Sequence, residues 1–224
     1  MIKNISNLGD AALYCDFGIE VNRNINSEVI KYFKAIKEKN IEGINNLTPS
    51  YNKLIISFDL SVTNYSEIKD KIEKLNINEV PNNLNKKLEI PVCCDTSFSL
   101  DIERLKKKLN SSKQKILENF FNKEYFCYMT GFIAGMPFLG DLDKNMRAQR
   151  LETPRVKVPK GSVGLTEQFA NIYTFESPGG WNIIGNTPLV VFDSTKEKEP
   201  NLINPGDTVI FKPITLDQYK NYNE

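Results

Sequence analysis

The chain has 224 residues, 40% hydrophobic and 25% charged, and its 29 basic and 28 acidic residues leave a formal net charge of +1. This composition is typical of a globular protein and excludes the broad positive field that attracts nucleic acid or an anionic membrane. No apolar run approaches the roughly 18 residues of a membrane-spanning helix, and the N-terminus lacks the pattern of a signal peptide. We expect a cytoplasmic protein with neither nucleic acid nor a membrane as partner.

The first 86 residues alternate between strand and helix patterns. Aromatic-rich apolar runs predict strands, and apolar residues at helical spacing after a capping residue predict helices. The predicted strands are residues 11–21, residues 51–60 and a further strand near residues 41–48. The predicted helices are residues 28–40, capped by Ser27, and residues 67–76, beginning at Ser66. This order predicts a small α+β domain of ferredoxin-like type over residues 1–86.

A polar, Asn-rich segment around Pro81, residues 77–87, is interpreted as a connecting loop to a second domain over residues 87–224. The second domain is predicted to begin with a strand at residues 88–94 and helices at residues 100–110 and 113–125. From Phe126 onward, short apolar segments alternate with Gly, Pro and Asn, which is typical of a sandwich or small barrel. These strand-sized segments are residues 126–134, 162–167, 170–177, 181–187, 189–193 and 207–214.

The absence of histidine restricts the chemistry of the chain. It excludes Ser-His-Asp and Cys-His catalysis within the chain and histidine-based zinc sites. The four cysteines show no C-x-x-C spacing, so we expect buried, reduced thiols and no metal. They are Cys15, Cys93, Cys94 and Cys127. Proton transfer requires carboxylates, Lys, Tyr, water or a residue of another chain.

Glycine and proline are concentrated between Gly131 and Pro188, although the whole chain has only 12 Gly and 11 Pro. Residues 131–140 are interpreted as a loop in which Gly135 permits close backbone approach and Pro137 adds stiffness. Phe132 and Phe138, together with a methionine between them, offer a flat apolar wall to a ligand. The alternative is a tight barrel corner that the aromatic rings pack.

The segment from Ser177 to Trp181 reads Ser-Pro-Gly-Gly-Trp and predicts a turn before a strand. Its functional interpretation is a pocket rim with backbone N–H groups exposed at Gly179 and Gly180. Its structural interpretation is a hairpin whose tryptophan packs on the core. Ser162 and Ser177 offer hydroxyl groups, which are better suited to ligand binding than to nucleophilic attack because no histidine can activate them.

The few arginines are informative because the chain has 24 Lys and only five Arg. Three of the five are Arg147, Arg150 and Arg155. A guanidinium group is preferred where a carboxylate or phosphate is bound by two parallel hydrogen bonds. Arg150 and Arg155 are therefore candidate ligand contacts, and the alternative is that they hold loops through internal ion pairs.

Three motifs in this block resemble the family of the 5-oxoprolinase B subunit, also called the kinase-A inhibitor family or allophanate hydrolase subunit 1. The matching residues are Gly131-Phe132, Gly135, Pro137, Leu139-Gly140, Leu142-Asp143; then Thr153-Pro154-Arg155, Val158-Pro159, Gly161 to Gly164; then Tyr173, Glu176 to Trp181, Ile184-Gly185 and Thr187-Pro188. The resemblance extends over nearly the whole chain. It implies a small α+β domain followed by a cyclophilin-like β-barrel domain.

The resemblance also implies a function in a complex. It identifies the chain as the B subunit of an ATP-dependent 5-oxoprolinase, which opens the lactam of 5-oxoproline to glutamate. The implied partners are the barrel-like C subunit and possibly the A subunit of the same complex. ATP is expected at the level of the complex, since the chain itself shows no P-loop and no evident cofactor site.

Two further functions stay open beside this one. The family's alternative name implies a regulator that inhibits a sensor histidine kinase. A degenerate, non-catalytic subunit is the other, because residues that the family usually keeps are replaced and are expected to lie on one side of the pocket. The replacements are Cys94-Asp95-Thr96 for Tyr-Gly-Gly, Asn119-Phe120 for a His-Thr-like step, Ala134 and Gln149 for prolines; Asp101 alone remains of a Gly-Pro-Asp segment.

Overall fold

The computed structural model describes residues 1–77 and 85–222 of the chain. The chain divides into two compact units, Met1–Leu84 and Asn85–Glu224, where the sequence places the boundary after residue 86. Most of the connecting loop predicted at residues 77–87 lies outside the described residues. Within the described ranges, no helix has both the length and the apolar character needed to span a membrane.

Within residues 1–77, four strands and two helices form the first unit. The elements are β1 (Asn4–Asn7), β2 (Ala12–Asp16), α1 (Arg23–Lys39), β3 (Ile44–Pro49), β4 (Lys53–Phe58) and α2 (Tyr65–Glu73). The strands form an antiparallel sheet in the order β1-β2-β4-β3. Strands β2 and β3 flank β4 and are joined through α1, which is the split β-α-β arrangement of ferredoxin-like folds. The predicted strand near residues 41–48 is present, and β1 is a strand that the sequence pattern does not predict.

Both helices of this unit begin at asparagine rather than at the predicted serine. The Asn22 side chain accepts a hydrogen bond from Ile25 N at 3.0 Å, and the Asn64 side chain accepts one from Glu67 N at 3.1 Å. Asparagine is as favourable as serine at this position. The predicted caps Ser27 and Ser66 are therefore wrong, since both serines lie inside the helices. The apolar helix faces pack with the sheet into one core that includes Leu13, Ile36, Ile56 and Ile68.

Within residues 85–222, the second unit contains a closed barrel, and the predicted α+β class with a barrel-forming second domain is confirmed. The barrel strands are β5 (Lys87–Cys93), β6 (Glu124–Thr130), β7 (Pro137–Gly140), β9 (Ser162–Thr166), β10 (Phe169–Ile172), β12 (Asn182–Asn186) and β13 (Thr208–Ile214). They close in the order β10-β7-β6-β13-β5-β12-β9. Closure leaves no exposed sheet edge in the barrel itself.

The remaining elements of the second unit are α3 (Ile102–Lys108), α4 (Lys113–Phe121), β8 (Arg155–Val158), β11 (Ser177–Gly179) and α5 (Leu216–Lys220). Helices α3 and α4 pack against β12 and β13. Phe120 of α4 stacks on Phe211 with ring centroids 4.8 Å apart. These rings belong to a large apolar core, the main core, that also includes Tyr125, Cys127 and Leu165.

Two segments of the barrel unit differ from their predictions. Residues 189–193 do not form the predicted strand, and their one described pairing is an isolated bridge between Phe192 and Asn201. Residues 131–140 are not a continuous loop, because Pro137–Gly140 is the barrel strand β7. Proline and glycine are poor strand formers, and the pairing of β7 with β6 and β10 overrides that preference.

Candidate functional site

The three sequence motifs converge on a small apolar cluster that is separate from the main core. The buried members of this motif cluster are Met136, Val158, Tyr173, Trp181 and Ile183, with Ile133, Phe138 and Phe169 packed against them. The first motif contributes Met136 and Phe138, the second Val158, and the third Tyr173 and Trp181. The motifs are therefore one site in three dimensions, although they span nearly sixty residues of sequence.

The first motif supplies one wall of the site. Phe138 lies on β7 and contacts Trp181 edge to face, with ring centroids 5.6 Å apart. Gly135 has φ +69°, and a Cβ atom placed there would overlap the Phe192 ring, so both its conformation and its close approach require glycine. Pro137 is buried at the start of β7. Phe132, predicted as part of the wall, instead has 69% of its surface exposed.

The second and third motifs pair directly with each other. Strands β8 and β11 form a two-stranded antiparallel sheet, here called the ribbon, in which Arg155 lies opposite Gly179 and Ser177 opposite Val158. Gly180 follows the ribbon, and its carbonyl oxygen accepts a hydrogen bond from Leu151 N at 2.7 Å. The predicted turn at Ser177–Trp181 is thus partly strand. The ribbon places Arg155 beside the glycine pair.

Arg155 is held by a buried carboxylate. Its Nη2 donates to Oδ1 of Asp101 at 2.6 Å, and Asp101 retains 4% of its surface exposed. The other oxygen of Asp101 accepts from Ile183 N at 2.7 Å. Asp101 is the aspartate that remains in the otherwise replaced Gly-Pro-Asp segment, and no sequence pattern links it to Arg155. Of the two interpretations of Arg155, the internal ion pair is present on one side of its guanidinium group.

Four buried polar atoms around the motif cluster have no hydrogen-bond partner within residues 1–77 and 85–222. We call them the open polar set: Nη1 of Arg155, Oδ1 of Asn171, Oη of Tyr173 and Oγ of Ser177. A buried polar group without a partner costs about 1–3 kcal/mol, and folded proteins retain few of them. Four in one small region is a specific pointer to a ligand-binding site.

Two motif glycines lie directly against atoms of the open polar set. A Cβ atom on Gly179 would overlap Oη of Tyr173, and a Cβ atom on Gly164 would lie 2.7 Å from Oδ1 of Asn171. Asn171 and Tyr173 are two residues apart on and just after β10, which places them on one face. The absence of a side chain at these two glycines therefore allows Oη of Tyr173 and Oδ1 of Asn171 to pack against the backbone.

The Tyr173 hydroxyl lies in a balanced electrostatic environment. Burial raises its pKa, while the Asn171 side chain, the Trp181 backbone and the charges of Arg155 and Arg150 lower it. The Asn171 and Trp181 groups are near Oη but do not reach it with hydrogen-bond geometry. The net effect is a raised pKa, so Tyr173 remains a neutral hydrogen-bond donor at physiological pH.

A second arginine fixes the loop that carries Arg150. Arg104, which the sequence did not single out, donates to the carbonyl oxygens of Gln149 and Arg150 at 3.3 Å and also to the side chain of Asn182. Asn182 donates in turn to Gln149 O at 3.1 Å. The Arg150 side chain itself is exposed. The loop is thus held by its backbone, which leaves the Arg150 guanidinium in solvent beside the site.

The remaining predicted residues have structural surroundings. Arg147 donates from Nε to Leu142 O at 3.0 Å. Ser162 is buried on β9, and its carbonyl oxygen accepts from Tyr173 N at 2.9 Å. Its backbone therefore positions Tyr173, while Ser177 contributes the serine hydroxyl of the open polar set.

The replaced family residues do not gather on one side of the pocket, and that expectation is wrong. Phe120 is fully buried in the main core, and Cys94 packs against the same core. Gln149 acts through its carbonyl oxygen, which accepts from Arg104 and Asn182. Phe120 and Cys94 therefore lie in or against the main core and outside the motif cluster.

Metal binding, thiol chemistry and a groove in the first unit are the alternatives to the motif cluster as places for function. In the described part of the chain, no group of three or more Cys, Asp or Glu residues is arranged to hold a metal ion. Burial raises the pKa of the Cys15 and Cys94 thiols to about 12 and also raises that of Cys127. A groove of about 310 Å³ lies beside α1 and β3 in the first unit, and none of the three motifs lines it.

Known proteins match this chain over most of its length. Residues 3–203 match the family model described as carboxyltransferase domain, subdomain C and D. The 5-oxoprolinase B subunit of Bacillus subtilis (strain 168) is 32% identical over 233 residues, which cover 98% of this chain and 96% of that protein.

Solved structures show the same fold. The structure of TTHA0988 aligns with a TM-score of 0.82 at 27% identity, covering 92% of this chain and 40% of TTHA0988. This chain therefore spans less than half the length of that protein. A conserved uncharacterized protein from Pyrococcus horikoshii aligns with a TM-score of 0.58 at 35% identity, covering 96% of this chain and 100% of that one.

Proposed function

Because the chain belongs to the family of the 5-oxoprolinase B subunit, within the carboxyltransferase subdomain C and D family, we propose that it is the B subunit of an ATP-dependent 5-oxoprolinase. In this proposal the complex opens the lactam of 5-oxoproline to glutamate. The A and C subunits of the same complex are its partners, and the chain is not active alone.

One observation carries the proposal: the family motifs build a single site whose open polar set includes a guanidinium nitrogen and two hydroxyl groups. Such a set is suited to a small molecule with an anionic group and a carbonyl oxygen. The first and third motifs add Phe138 and Trp181, whose rings contact each other edge to face in the motif cluster. 5-Oxoproline combines these features in a five-membered ring.

The chemistry explains why the chain needs partners. A lactam carbonyl is a poor electrophile, and phosphoryl transfer from ATP to its oxygen supplies the activation. The groups of this chain bind and orient rather than activate. Asp101 is committed to Arg155 and Ile183 N, so it does not serve as a general base. Tyr173 is neutral and can donate a hydrogen bond to a carbonyl oxygen.

The decisive experiment is reconstitution. This chain is co-expressed with the A and C subunits encoded in the same genome, and ATP-dependent release of glutamate from 5-oxoproline is measured. We expect activity only when this chain is present, together with co-purification of the C subunit. Equal activity without this chain would remove the proposal.

A matched pair of variants locates the function within the complex. Arg155→Ala removes the half-buried guanidinium group that pairs with Asp101, whereas Lys157→Ala removes an exposed cation on the same strand that pairs with Glu176 at 3.0 Å. We expect Arg155→Ala to lower activity at least tenfold and Lys157→Ala to leave it unchanged. Equal losses would show that Arg155 has no special role.

The same preparations separate the other two functions. Capture of a histidine-kinase dimerisation domain in place of the C subunit would favour the regulatory function. Assembly with the C subunit, with activity unchanged by Arg155→Ala, would favour a non-catalytic role for this chain.

A further inference from the structure

We propose that the open polar set recognises a small monocarboxylate that carries an amide N–H next to its carboxylate-bearing carbon. This inference rests on the proposed function, since it assigns the ligand groups at the same site. It goes further by assigning a protein residue to each group of the ligand. Arg155 binds the carboxylate, and Asn171 accepts from the N–H. Tyr173 and Ser177 donate to a carbonyl oxygen.

The Arg155 guanidinium is positioned to bind an anion on one side only. Its Nη2 is fixed by Asp101 at 2.6 Å, and Asp101 is itself fixed by Ile183 N at 2.7 Å. The buried Nη1 belongs to the open polar set. A guanidinium N–H is donor-only, so this nitrogen requires an acceptor, and an anionic acceptor gives the strongest hydrogen bond. The ion pair with Asp101 thus fixes the position of Nη1.

The local charge favours a ligand with one negative charge. Asp101 neutralises Arg155, so the pair alone offers no net attraction to an anion. Arg150 supplies a second cation close enough to Tyr173 to influence its titration, and its side chain is exposed. Asp101, Arg155 and Arg150 together carry about one positive charge, and the neighbouring pair of Lys157 and Glu176 adds none, which suits a carboxylate better than a doubly charged phosphate.

The other three atoms define the neutral part of the ligand. Oδ1 of Asn171 accepts only, so it requires a donor such as an amide N–H. The hydroxyl groups of Tyr173 and Ser177 can donate to a carbonyl oxygen. Asn171 and Tyr173 are each at most 1% exposed. A ligand without an N–H group or a carbonyl oxygen leaves these buried polar atoms without hydrogen bonds, so it binds more weakly.

The four atoms belong to residues of two separate sheets. Arg155 and Ser177 lie on its two strands, β8 and β11, which within the described residues form a sheet distinct from the barrel. The other two residues lie on or next to barrel strand β10. Since the four atoms are buried, the proposal requires that the ribbon moves away from β10 to admit a ligand between the two sheets.

Trp181 provides a direct readout of binding. It is the only tryptophan of the chain and a member of the motif cluster, so its fluorescence reports on this site alone. The full-length chain is titrated with 5-oxoproline, with 2-pyrrolidinone, which lacks the carboxylate, and with cyclopentanecarboxylate, which lacks the amide. We expect a saturable change with 5-oxoproline and at least tenfold weaker binding of each analogue.

Variants test the assignment of groups. Tyr173→Phe removes one hydroxyl and keeps the ring, and we expect at least a tenfold loss of affinity for 5-oxoproline. Arg155→Lys should lose at least as much, because lysine cannot contact Asp101 and the ligand in the same fork. Lys157→Ala is the control and should bind like the wild type. Thermal unfolding is followed by circular dichroism for each variant, and if Arg155→Lys fails to fold, Tyr173→Phe carries the test.

The inference is overturned if 5-oxoproline produces no saturable change, if both analogues bind as well as it does, or if Tyr173→Phe binds like the wild type. These outcomes are distinguishable from failure of the proposed function. A chain that is required for glutamate release by the complex but does not bind 5-oxoproline keeps its function and loses this site assignment. A chain that binds 5-oxoproline but is dispensable for the complex shows the reverse.

Discussion

Tyr125 and Tyr173 are both fully buried in the barrel unit, and their hydroxyl groups have opposite surroundings. Tyr125 belongs to the main core and donates to Phe120 O at 2.9 Å. Tyr173 belongs to the motif cluster, and its hydroxyl is part of the open polar set. Burial raises the pKa of both. Tyr125 therefore completes an apolar core with a satisfied hydroxyl, whereas Tyr173 leaves its hydroxyl available to a ligand.

In the barrel unit, packing for stability and polar recognition are assigned to different groups of residues, the main core and the motif cluster. The main core is apolar, and its tyrosine hydroxyl is satisfied, as expected where packing alone matters. The motif cluster keeps four buried polar atoms open, at a cost of about 1–3 kcal/mol for each. A fold retains such groups where binding recovers their hydrogen bonds, because function is commonly maintained at a cost in stability.

Removing the carboxylate that pairs with Arg155 should change stability the most. Asp101→Ala leaves the Arg155 charge and Ile183 N without their buried partner, so we expect a loss of about 3 kcal/mol in the free energy of unfolding. Urea unfolding measures it. Glu103→Ala, which removes an exposed carboxylate on α3, is the control. A loss no larger than that of the control would show that the ion pair is not structural.

The next effect distinguishes two neighbouring glycines. A Cβ atom on Gly179 overlaps Oη of Tyr173, whereas one on Gly180 lies 3.6 Å from its nearest neighbour, a carbon of Pro154. We expect Gly179→Ala to cost about 1–3 kcal/mol through overpacking and to weaken ligand binding, and Gly180→Ala to stay within about 0.5 kcal/mol of the wild type. Equal stability of the two variants in urea would contradict the described position of Tyr173.

A smaller effect should have opposite signs at the two tyrosines. Tyr125→Phe leaves Phe120 O without its donor, so we expect a loss of about 1 kcal/mol. Tyr173→Phe removes a hydroxyl whose burial is uncompensated, so we expect unchanged or increased stability. Paired urea unfolding curves measure both. A destabilised Tyr173→Phe would mean that its hydroxyl is satisfied in solution and that the two regions do not differ.

The smallest effect concerns the thiols and pH. Because burial raises the pKa of Cys15 and Cys94 to about 12, the folded state favours the protonated thiol, and this contribution to stability is fully present below the unfolded pKa of about 8.5. It is lost as the pH rises toward 12. At pH 8 we expect slow reaction with a thiol reagent in the native state and rapid reaction of all the thiols in urea. Rapid labelling of the native protein would refute this burial.

The sequence predicts the fold more completely than the site. Periodicity locates the long elements, such as α1 and β4, because their apolar residues repeat at the spacing of one buried face. It fails at β7, β8 and β11, where Gly and Pro suppress strand signals and pairing with distant segments decides the structure. Only the resemblance of three motifs indicates, from sequence, that those segments belong together.

At the site, the sequence identifies Arg155 and Ser177 but misses three of their companions. Asp101 lies 54 residues before Arg155, and no local pattern connects them. Asn171 and Tyr173 occupy a strand-like segment in which aromatic and alternating residues predict packing. Only the buried, unsatisfied state of their polar atoms distinguishes them, and that state exists in three dimensions alone. The sequence predicts that Phe132 lines the site, but its side chain is exposed.

A thermal-shift series on the wild type and Tyr173→Phe, each with and without 5-oxoproline, tests whether the Tyr173 hydroxyl is kept for binding. We expect the ligand to raise the melting temperature of the wild type, since a ligand that binds only the folded state stabilises it. We expect Tyr173→Phe to melt at the same or a higher temperature without ligand and to gain far less from it. A variant that melts lower than the wild type and gains as much from the ligand would contradict the claim that this buried hydroxyl is kept for binding.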